Sequence, residues 1–302
     1  MSLGTVGNYE LLAPLGKGGM AEVFRAKALS GPREGQEFAL KRLLPELQTD
    51  QEAVTAFANE GELARWLDHP NIVRVYEVGT DGDRPYLVMD LVDGRDVSHI
   101  IKRCRERAIP FPLDPAIYLT RSLLWALDYA HHALGPDGKP LNIVHCDVSP
   151  SNYFVSRTGD LKLGDFGVAR GRLEPGETAV LGKPYYVSPE ALDGEISVAL
   201  DLWATTVTLY ELLTLKRPFT GKNPEEVFAA IRQQRYEPVQ QLRPDVPERV
   251  AAVVAKGFAK NPADRFADAK SFADALEGLY DERVGTPLAI SAMVRGLFGV
   301  TG

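Results

Sequence analysis

His145-Cys146-Asp147-Val148-Ser149-Pro150-Ser151-Asn152 is the stretch from which the rest of the chain can be read. It sets a carboxylate and an amide, Asp147 and Asn152, five positions apart, with Cys146 just before them and Ser149 between. Upstream, Gly135-Pro136-Asp137-Gly138-Lys139-Pro140 is a polar, turn-rich run that predicts a surface loop. Downstream, Leu161-Lys162-Leu163 is strand-like. Farther out the chain changes character. Short alternating or apolar runs at 9–15, 22–28, 37–42, 73–78 and 85–90, split by Gly, Pro and Asp, predict strands. One helix is predicted among them over 51–67, where Val54, Phe57, Ala58, Leu63, Ala64 and Leu67 recur near the helical period until His69-Pro70-Asn71 stops the run. After Asp93-Gly94 helices are predicted over 96–107, 115–134, 198–213, 224–234, 247–258 and 266–279, so residues 90–95 read as a hinge between two lobes.

Bulk properties agree with a two-lobed globular protein. The chain has 302 residues, 45% hydrophobic and 25% charged, enough to bury a sizeable core. Its 34 Lys+Arg against 41 Asp+Glu give a net charge of -7, which argues against broad nucleic-acid binding. Two cysteines, Cys104 and Cys146, cannot build a disulfide framework and point to a reducing, cytoplasmic setting. No apolar run reaches the roughly 18 residues of a membrane span, and the N-terminus lacks a basic-then-apolar signal pattern. No membrane contact is expected in this segment, which reads as cytoplasmic, either whole or as the cytosolic part of a longer chain.

Gly16-Lys17-Gly18-Gly19-Met20-Ala21-Glu22-Val23 lies between two predicted strands, where glycines let backbone N–H groups approach phosphate oxygens. No Gly-Lys-Ser/Thr follows and the element leads into a strand, so a Walker A loop does not fit. Phe38-Ala39-Leu40-Lys41, Asp165-Phe166-Gly167, Tyr186-Val187-Ser188-Pro189-Glu190, Asp201-Leu202-Trp203 and Asn261-Pro262-Ala263-Asp264-Arg265 follow in order. Together with His145–Asn152 they resemble the bacterial serine/threonine protein kinases over roughly residues 9–280. Singly each motif is weak, since a Gly-rich hairpin is usually only a turn and a lone Lys usually a surface group. Their joint order is strong.

The resemblance implies a two-lobed α+β protein kinase fold: an N-terminal ATP-binding lobe in residues 1–92, with a small antiparallel sheet and one helix, a mainly helical lobe in 93–282 and a helical tail in 283–302. It implies ATP and Mg2+ as cofactors and a protein substrate, with no nucleic acid. Asp147 would orient the acceptor hydroxyl, Asn152 and Asp165 would hold the metal, and Lys41, fixed by Glu60, would grip the phosphates. Glu62 is the rival partner, about 200 degrees around the helix from Glu60. Gly16, Lys17, Gly18 and Gly19 would cradle phosphates; Met89, Asp90, Leu91 and Val92 would form the adenine hinge; Val23 and Ala39 would cover the ring from above and Phe154 from below. Asp96 would reach the ribose, or cap the following helix. Asp201 is expected to bond the backbone around His145, and Glu190 to pair with Arg265.

The sequence departs from the family pattern mildly at Ala21, where a third Gly is usual, and more consequentially at three further places. Cys146 replaces an Arg that pairs with a phosphorylated activation loop, and a thiol cannot make that pair, so activity independent of activation-loop phosphorylation is expected. Thr178 is the candidate site to test. Ser149 replaces a phosphate-facing Lys, and Lys183 occupies a position where a Thr is common. Lys183 is expected to supply the displaced cation, against the alternatives of a solvated loop residue or a substrate-docking charge. Val148-Ser149-Pro150-Ser151 resembles the serine/threonine-type loop more than the tyrosine type. A pseudokinase that keeps the fold without turnover is the alternative reading, and a small-molecule phosphotransferase a third. The apolar stripe Ile290, Val294, Leu297 and Phe298 predicts a tail helix packed on the large lobe, against an exposed linker.

Overall fold

A computed structural model describes residues 3–166 and 183–299. The first lobe is a six-stranded antiparallel sheet of β1 (Thr5–Val6), β2 (Tyr9–Lys17), β3 (Ala21–Ala28), β4 (Glu37–Leu43), β5 (Val75–Asp81) and β6 (Arg84–Met89), in the order β1-β2-β3-β4-β6-β5. Helix α1 (Gln51–Ala64) lies against it. Asp50 starts α1 by accepting from the Glu52 and Ala53 amides. The helix turns Ala53, Phe57 and Ala64 inward, and Phe57 shares a core with Leu43 and Leu87. Gly61 is where α1 comes nearest the sheet: a Cβ there would sit 2.2 Å from Leu87 Cδ2. A bulky residue at this position would push the helix off the sheet, and Glu60 with it.

The second lobe begins with β7 (Gly94–Asp96), which pairs with β8 (Tyr153–Ser156) and through it with β9 (Leu161–Leu163). The rest of the lobe is α2 (Val97–Glu106), α3 (Leu113–His131), α4 (Val198–Thr214), α5 (Pro224–Arg232), α6 (Val239–Leu242), α7 (Glu248–Gly257), α8 (Ala269–Ala275) and α9 (Pro287–Phe298), of which α2, α3 and α9 pack on the small sheet. Helix α4 is buried over nearly its whole length. Its apolar residues run all round the helix, as expected of one that crosses a core. The hydroxyls of Thr205, Thr206 and Thr208 each donate to the carbonyl four residues back, which satisfies them without outside partners.

Backbone and side-chain bonds join the lobes. Residues 71–73 bond to β9 through the Val73 amide to the Leu163 carbonyl and the Leu163 amide to the Asn71 carbonyl, both 2.8 Å. Asp90, after β6, accepts from Lys162 on β9 at 2.8 Å and from the Tyr76 hydroxyl at 2.7 Å.

The predicted elements form, with shifted ends. Helix α1 stops at Ala64 because residues 66 and 67 tighten into three-residue bonds, Trp66 N to Leu63 O at 3.2 Å and Leu67 N to Ala64 O at 3.1 Å. Helix α8 starts at Ala269, three residues later than expected, because Asp268 and Ser271 form a capping box there. Strands β7 and β8 were not signalled, being short and lacking clear alternation. The loop after α3 turns through Gly138 at φ 75°. In the tail, Ile290, Val294 and Leu297 are buried, and α9 packs on α2, so the packed-helix expectation describes it. Arg103 donates to the Leu297 carbonyl, and Arg95 lies over the Phe298 ring at 5.5 Å.

Candidate active site

Sheet register decides which side chains face the cleft. Val23 stands opposite Lys41, Lys41 opposite Leu87, and Ala39 opposite Met89, so these residues share one face of the sheet. From that face Lys41 Nζ reaches Glu60 Oε1 at 2.7 Å and Asp165 Oδ1, in the second lobe, at 3.0 Å. Glu62 instead lies exposed beside Arg65, so Glu60 is the helix partner. Burial by itself pushes the Lys41 ammonium down, but the carboxylates of Asp165 and Glu60 outweigh it and raise it above its ordinary value. Lys41 in turn holds the Asp165 carboxyl below the usual range, against the opposing effect of burial.

The β2–β3 hairpin closes with the Gly18 amide on the Ala21 carbonyl at 2.8 Å. Gly16 and Gly19 have no positive φ, and a Cβ at either would meet nothing within 4 Å. The hairpin's own packing therefore does not require glycine there, whereas close approach of a phosphate would. Lys17 turns to Glu46 at 3.6 Å. Phe154, on β8, packs under Gly164, and Asp96 opposes it in β7. Asp96 caps α2: its carboxylate accepts from the His99 amide at 3.0 Å and also engages Ser98 Oγ and the His99 ring. Met89 ends β6, and Asp90 and Val92 follow in the link between lobes.

The loop 145–152 is fixed from beneath. Buried Asp201 accepts from the His145 amide at 2.8 Å and the Cys146 amide at 3.0 Å, and it contacts the His131 ring at 2.8 Å. His145 Nε2 meets the Gly164 carbonyl at 3.0 Å, tying the loop to the segment that carries Asp165. Cys146 and Asp165 both adopt left-handed backbone, at φ 64° and 51°. Such conformations are uncommon outside glycine and cluster at functional sites.

On top of the loop, Asn152 Nδ2 donates to Asp147 Oδ2 at 2.7 Å and to the Asp147 carbonyl at 2.9 Å. Lys183 Nζ reaches the same Asp147 Oδ2 at 2.9 Å, Ser149 Oγ at 3.0 Å and Asn152 Oδ1 at 3.5 Å. The amine therefore sits beside the serine that replaces the expected Lys. The other oxygen, Asp147 Oδ1, is buried and has no hydrogen-bond partner among the described residues. A buried acceptor left unsatisfied costs stability unless something fills it. Gly167, Gly182 and Thr178 lie outside the described residues.

Asp165 and Asn152 offer one carboxylate and one amide oxygen. That sparse, hard-oxygen set suits Mg2+, which keeps waters and takes its remaining ligands from phosphates. Among the described residues there is no cluster of three or more His, Cys, Asp or Glu of the kind that would hold a metal without substrate.

Burial, reinforced by Asp201 and Asp147, pushes the Cys146 thiol up to about 12, and burial raises Cys104 as well. Both should remain protonated near pH 8. Iodoacetamide at that pH is expected to leave both cysteines unmodified in the native protein and to label both in denaturant, read by mass spectrometry. Labelling of native Cys146 would contradict this environment.

The distal ion pair also forms. Arg265 grips Glu190 with both guanidinium nitrogens, one at 3.2 Å, donates through Nε to the Ala259 carbonyl at 2.8 Å, and lies over Trp203 at 4.7 Å. Breaking one side of a buried pair typically costs about 3–5 kcal/mol. Arg265→Ala should therefore lower the midpoint of thermal or urea unfolding strongly; an unchanged midpoint would count against the pair's structural role.

Sequence reasoning missed His131, which shares Asp201, and Lys162, which ties Asp90 across the lobes. Helical spacing marks His131 only as the end of α3. A lone Lys in a three-residue strand carries no signal of its partner.

This arrangement, a glycine hairpin, a Lys–Glu–Asp junction and an Asp–Asn loop set between two lobes, is that of the protein kinase fold. The protein kinase domain model matches residues 9–277, and the chain belongs to that family. Over 299 residues it is 36% identical to the tyrosine-protein kinase MasK of Myxococcus xanthus, covering 97% of this chain and 46% of that protein. It is 31% identical to the serine/threonine-protein kinase PrkC of Bacillus subtilis over 281 residues, 91% of this chain and 41% of that one. The chain thus spans less than half the length of these curated relatives. Among solved structures it resembles the kinase domain of Mycobacterium tuberculosis PknI, with a TM-score of 0.69 and 26% identity, covering 91% of this chain and 97% of that chain. No helix among the described residues is long and apolar enough to cross a membrane.

Proposed function

We propose that the chain transfers the γ-phosphoryl group of Mg-ATP to serine or threonine hydroxyls of proteins, in a cleft between an ATP-binding lobe (1–92) and a catalytic lobe (93–282) braced by the tail (283–302). What supports this above all is Lys41 joined at once to Glu60 and Asp165, which brings three separate elements to one phosphate-sized point. Lys41 binds phosphate oxygens, and Glu60 positions it. Gly16, Lys17, Gly18 and Gly19 cover the phosphates. Val23, Ala39 and Phe154 enclose the base, the backbone of Met89, Asp90 and Val92 bonds it, and Asp96 meets the ribose with whatever lone pairs its capping role leaves. Asp165 and Asn152 hold the metal, which supplies charge neutralisation between the phosphates.

Asp147 Oδ1 accepts the hydroxyl proton while the acceptor oxygen bonds to phosphorus and the bond to the bridging oxygen of ADP breaks. Lys183 faces the migrating phosphoryl group in place of the missing Lys at 149. The test is transfer of radiolabelled phosphate from ATP to the chain itself, to casein and to histone, with Asp147→Asn as reference. Equal signal from parent and variant would favour the pseudokinase reading. The similarity to a protein named as a tyrosine kinase favours a second acceptor reading, which phosphoamino-acid analysis of the product decides.

Cys146, buried and uncharged, gives a phosphorylated activation loop nothing to pair with at this position. Activity should therefore persist in Thr178→Ala. Loss of activity in that variant, in protein whose parent is first shown to carry phosphate on Thr178, would overturn this.

A further inference from the structure

Beside the candidate active site the large lobe carries a groove of about 930 Å³, open along one side of α2, the end of α4 and the segment after α5. Five cations line it, Lys102, Arg105, Lys216, Arg217 and Arg235, all exposed, against two carboxylates, Glu211 and Glu237. This concentration of positive charge runs against the net charge of -7 of the whole chain. The lining carboxylates offset only part of it, and Lys102 also lies 3.9 Å from Glu106, so Arg105 and Arg235 are the two lining cations with no carboxylate partner among the described residues. Glu211 is committed to Arg217 at 3.1 Å and to the Tyr186 hydroxyl at 2.8 Å, and Glu237 lies 3.8 Å from Lys216. Arg105 spends its guanidinium on the uncharged Leu215 carbonyl, at 3.0 and 2.6 Å, so its charge is not cancelled there. Arg235 makes no ion pair among the described residues.

The groove is close to the chemistry. Tyr186 lines it and belongs to the same 3-10 turn, Pro184–Tyr186, that Lys183 precedes and caps. Three residues of chain span at most roughly 10 Å, and Lys183 touches Asp147. An extended peptide with its hydroxyl at Asp147, advancing some 3.3 Å per residue, would thus reach the groove within a few residues of the acceptor.

We propose that this groove is a subsite for acidic side chains of the protein substrate, so that the chain selects acceptors flanked within a few residues by Glu or Asp. The inference rests on the kinase reading above for its use, but not for its binding. The test employs two fluorescent peptides that share one serine, with Glu or with Gln at two to four positions on both sides, and a Lys102→Glu/Arg235→Glu variant whose changes lie at exposed positions. By fluorescence polarisation the parent should bind the Glu peptide about tenfold or more tighter than the Gln peptide, an effect of several exposed ion pairs acting together that fades with salt. The variant should lose the preference while keeping its unfolding midpoint and its affinity for ATP. The same ordering is expected in kcat/KM for phosphate transfer. Preference in binding without transfer to either peptide would support the groove and sink the kinase reading. Equal binding and equal transfer by the parent would overturn the groove and leave the kinase reading standing.

Discussion

Asp147→Asn is expected to slow phosphate transfer by roughly 10²–10⁴-fold, the usual worth of a positioned general base, with little change in ATP affinity. The two oxygens of Asp147 have different neighbours, and the amide fails at either. If the NH2 group replaces Oδ1, the buried position that awaits the hydroxyl becomes a donor and cannot take a proton. If it replaces Oδ2, it faces the ammonium of Lys183 and the amide NH2 of Asn152, which now hold that oxygen at 2.9 and 2.7 Å. Single-turnover transfer at saturating ATP, with nucleotide binding measured separately, checks both parts. A variant that transfers phosphate at the parental rate would remove Asp147 from the chemistry.

Lys183→Ala is the second large effect. Removing one positioned donor to developing charge typically costs about 10²–10³ in turnover, and that loss should appear in kcat while the KM for ATP stays near the parental value. The reason is geometric. Lys183 contacts Asp147, Ser149 and Asn152, all on the acceptor side of the cleft, whereas Lys41 makes the contacts expected to anchor the nucleotide. Because Lys183 and Asp147 touch, their losses should not add; the double variant should be little slower than Asp147→Asn alone. A Lys183→Ala enzyme with parental kcat would mean that the amine is only a surface charge resting on the loop.

The sequence made the two lobes and most of the site visible because both depend on local signals. Period-2 runs mark β2 to β6, a near-helical period marks α1, and the fixed spacing of Asp147 and Asn152 survives whatever surrounds it. Helix geometry allows only one of Glu60 and Glu62 to face the cleft, the family resemblance points to Glu60, and the contact at 2.7 Å agrees with it. Non-local facts were harder to read. Strands β7 and β8 are three and four residues long and exist because they pair with each other, not because their own sequences alternate. Asp96 could be placed at a helix start, and the structure gives that cap in full. The tie of Lys162 to Asp90 and of His131 to Asp201 links residues 72 and 70 positions apart with no pattern to announce it. The basic groove is invisible for the same reason, since its cations come from three segments that only the folded lobe brings together.

The meeting of Lys183 with Ser149 lies between these extremes. Each residue stood out as a departure from the family pattern, and only folding could bring the amine to 3.0 Å from the hydroxyl. Ser149 is buried, so a longer side chain there has room only if Lys183 gives up its place. The central claim is that the phosphate-facing cation has moved from one side of Asp147 to the other. The measurement that tests it most directly is the single-turnover transfer rate of the parent, Lys183→Thr, Ser149→Lys and the double variant Ser149→Lys/Lys183→Thr. The relocated cation predicts that Lys183→Thr alone is slow and that adding Ser149→Lys restores most of the rate. A double variant no faster than Lys183→Thr, or a Lys183→Thr enzyme as fast as the parent, would contradict it.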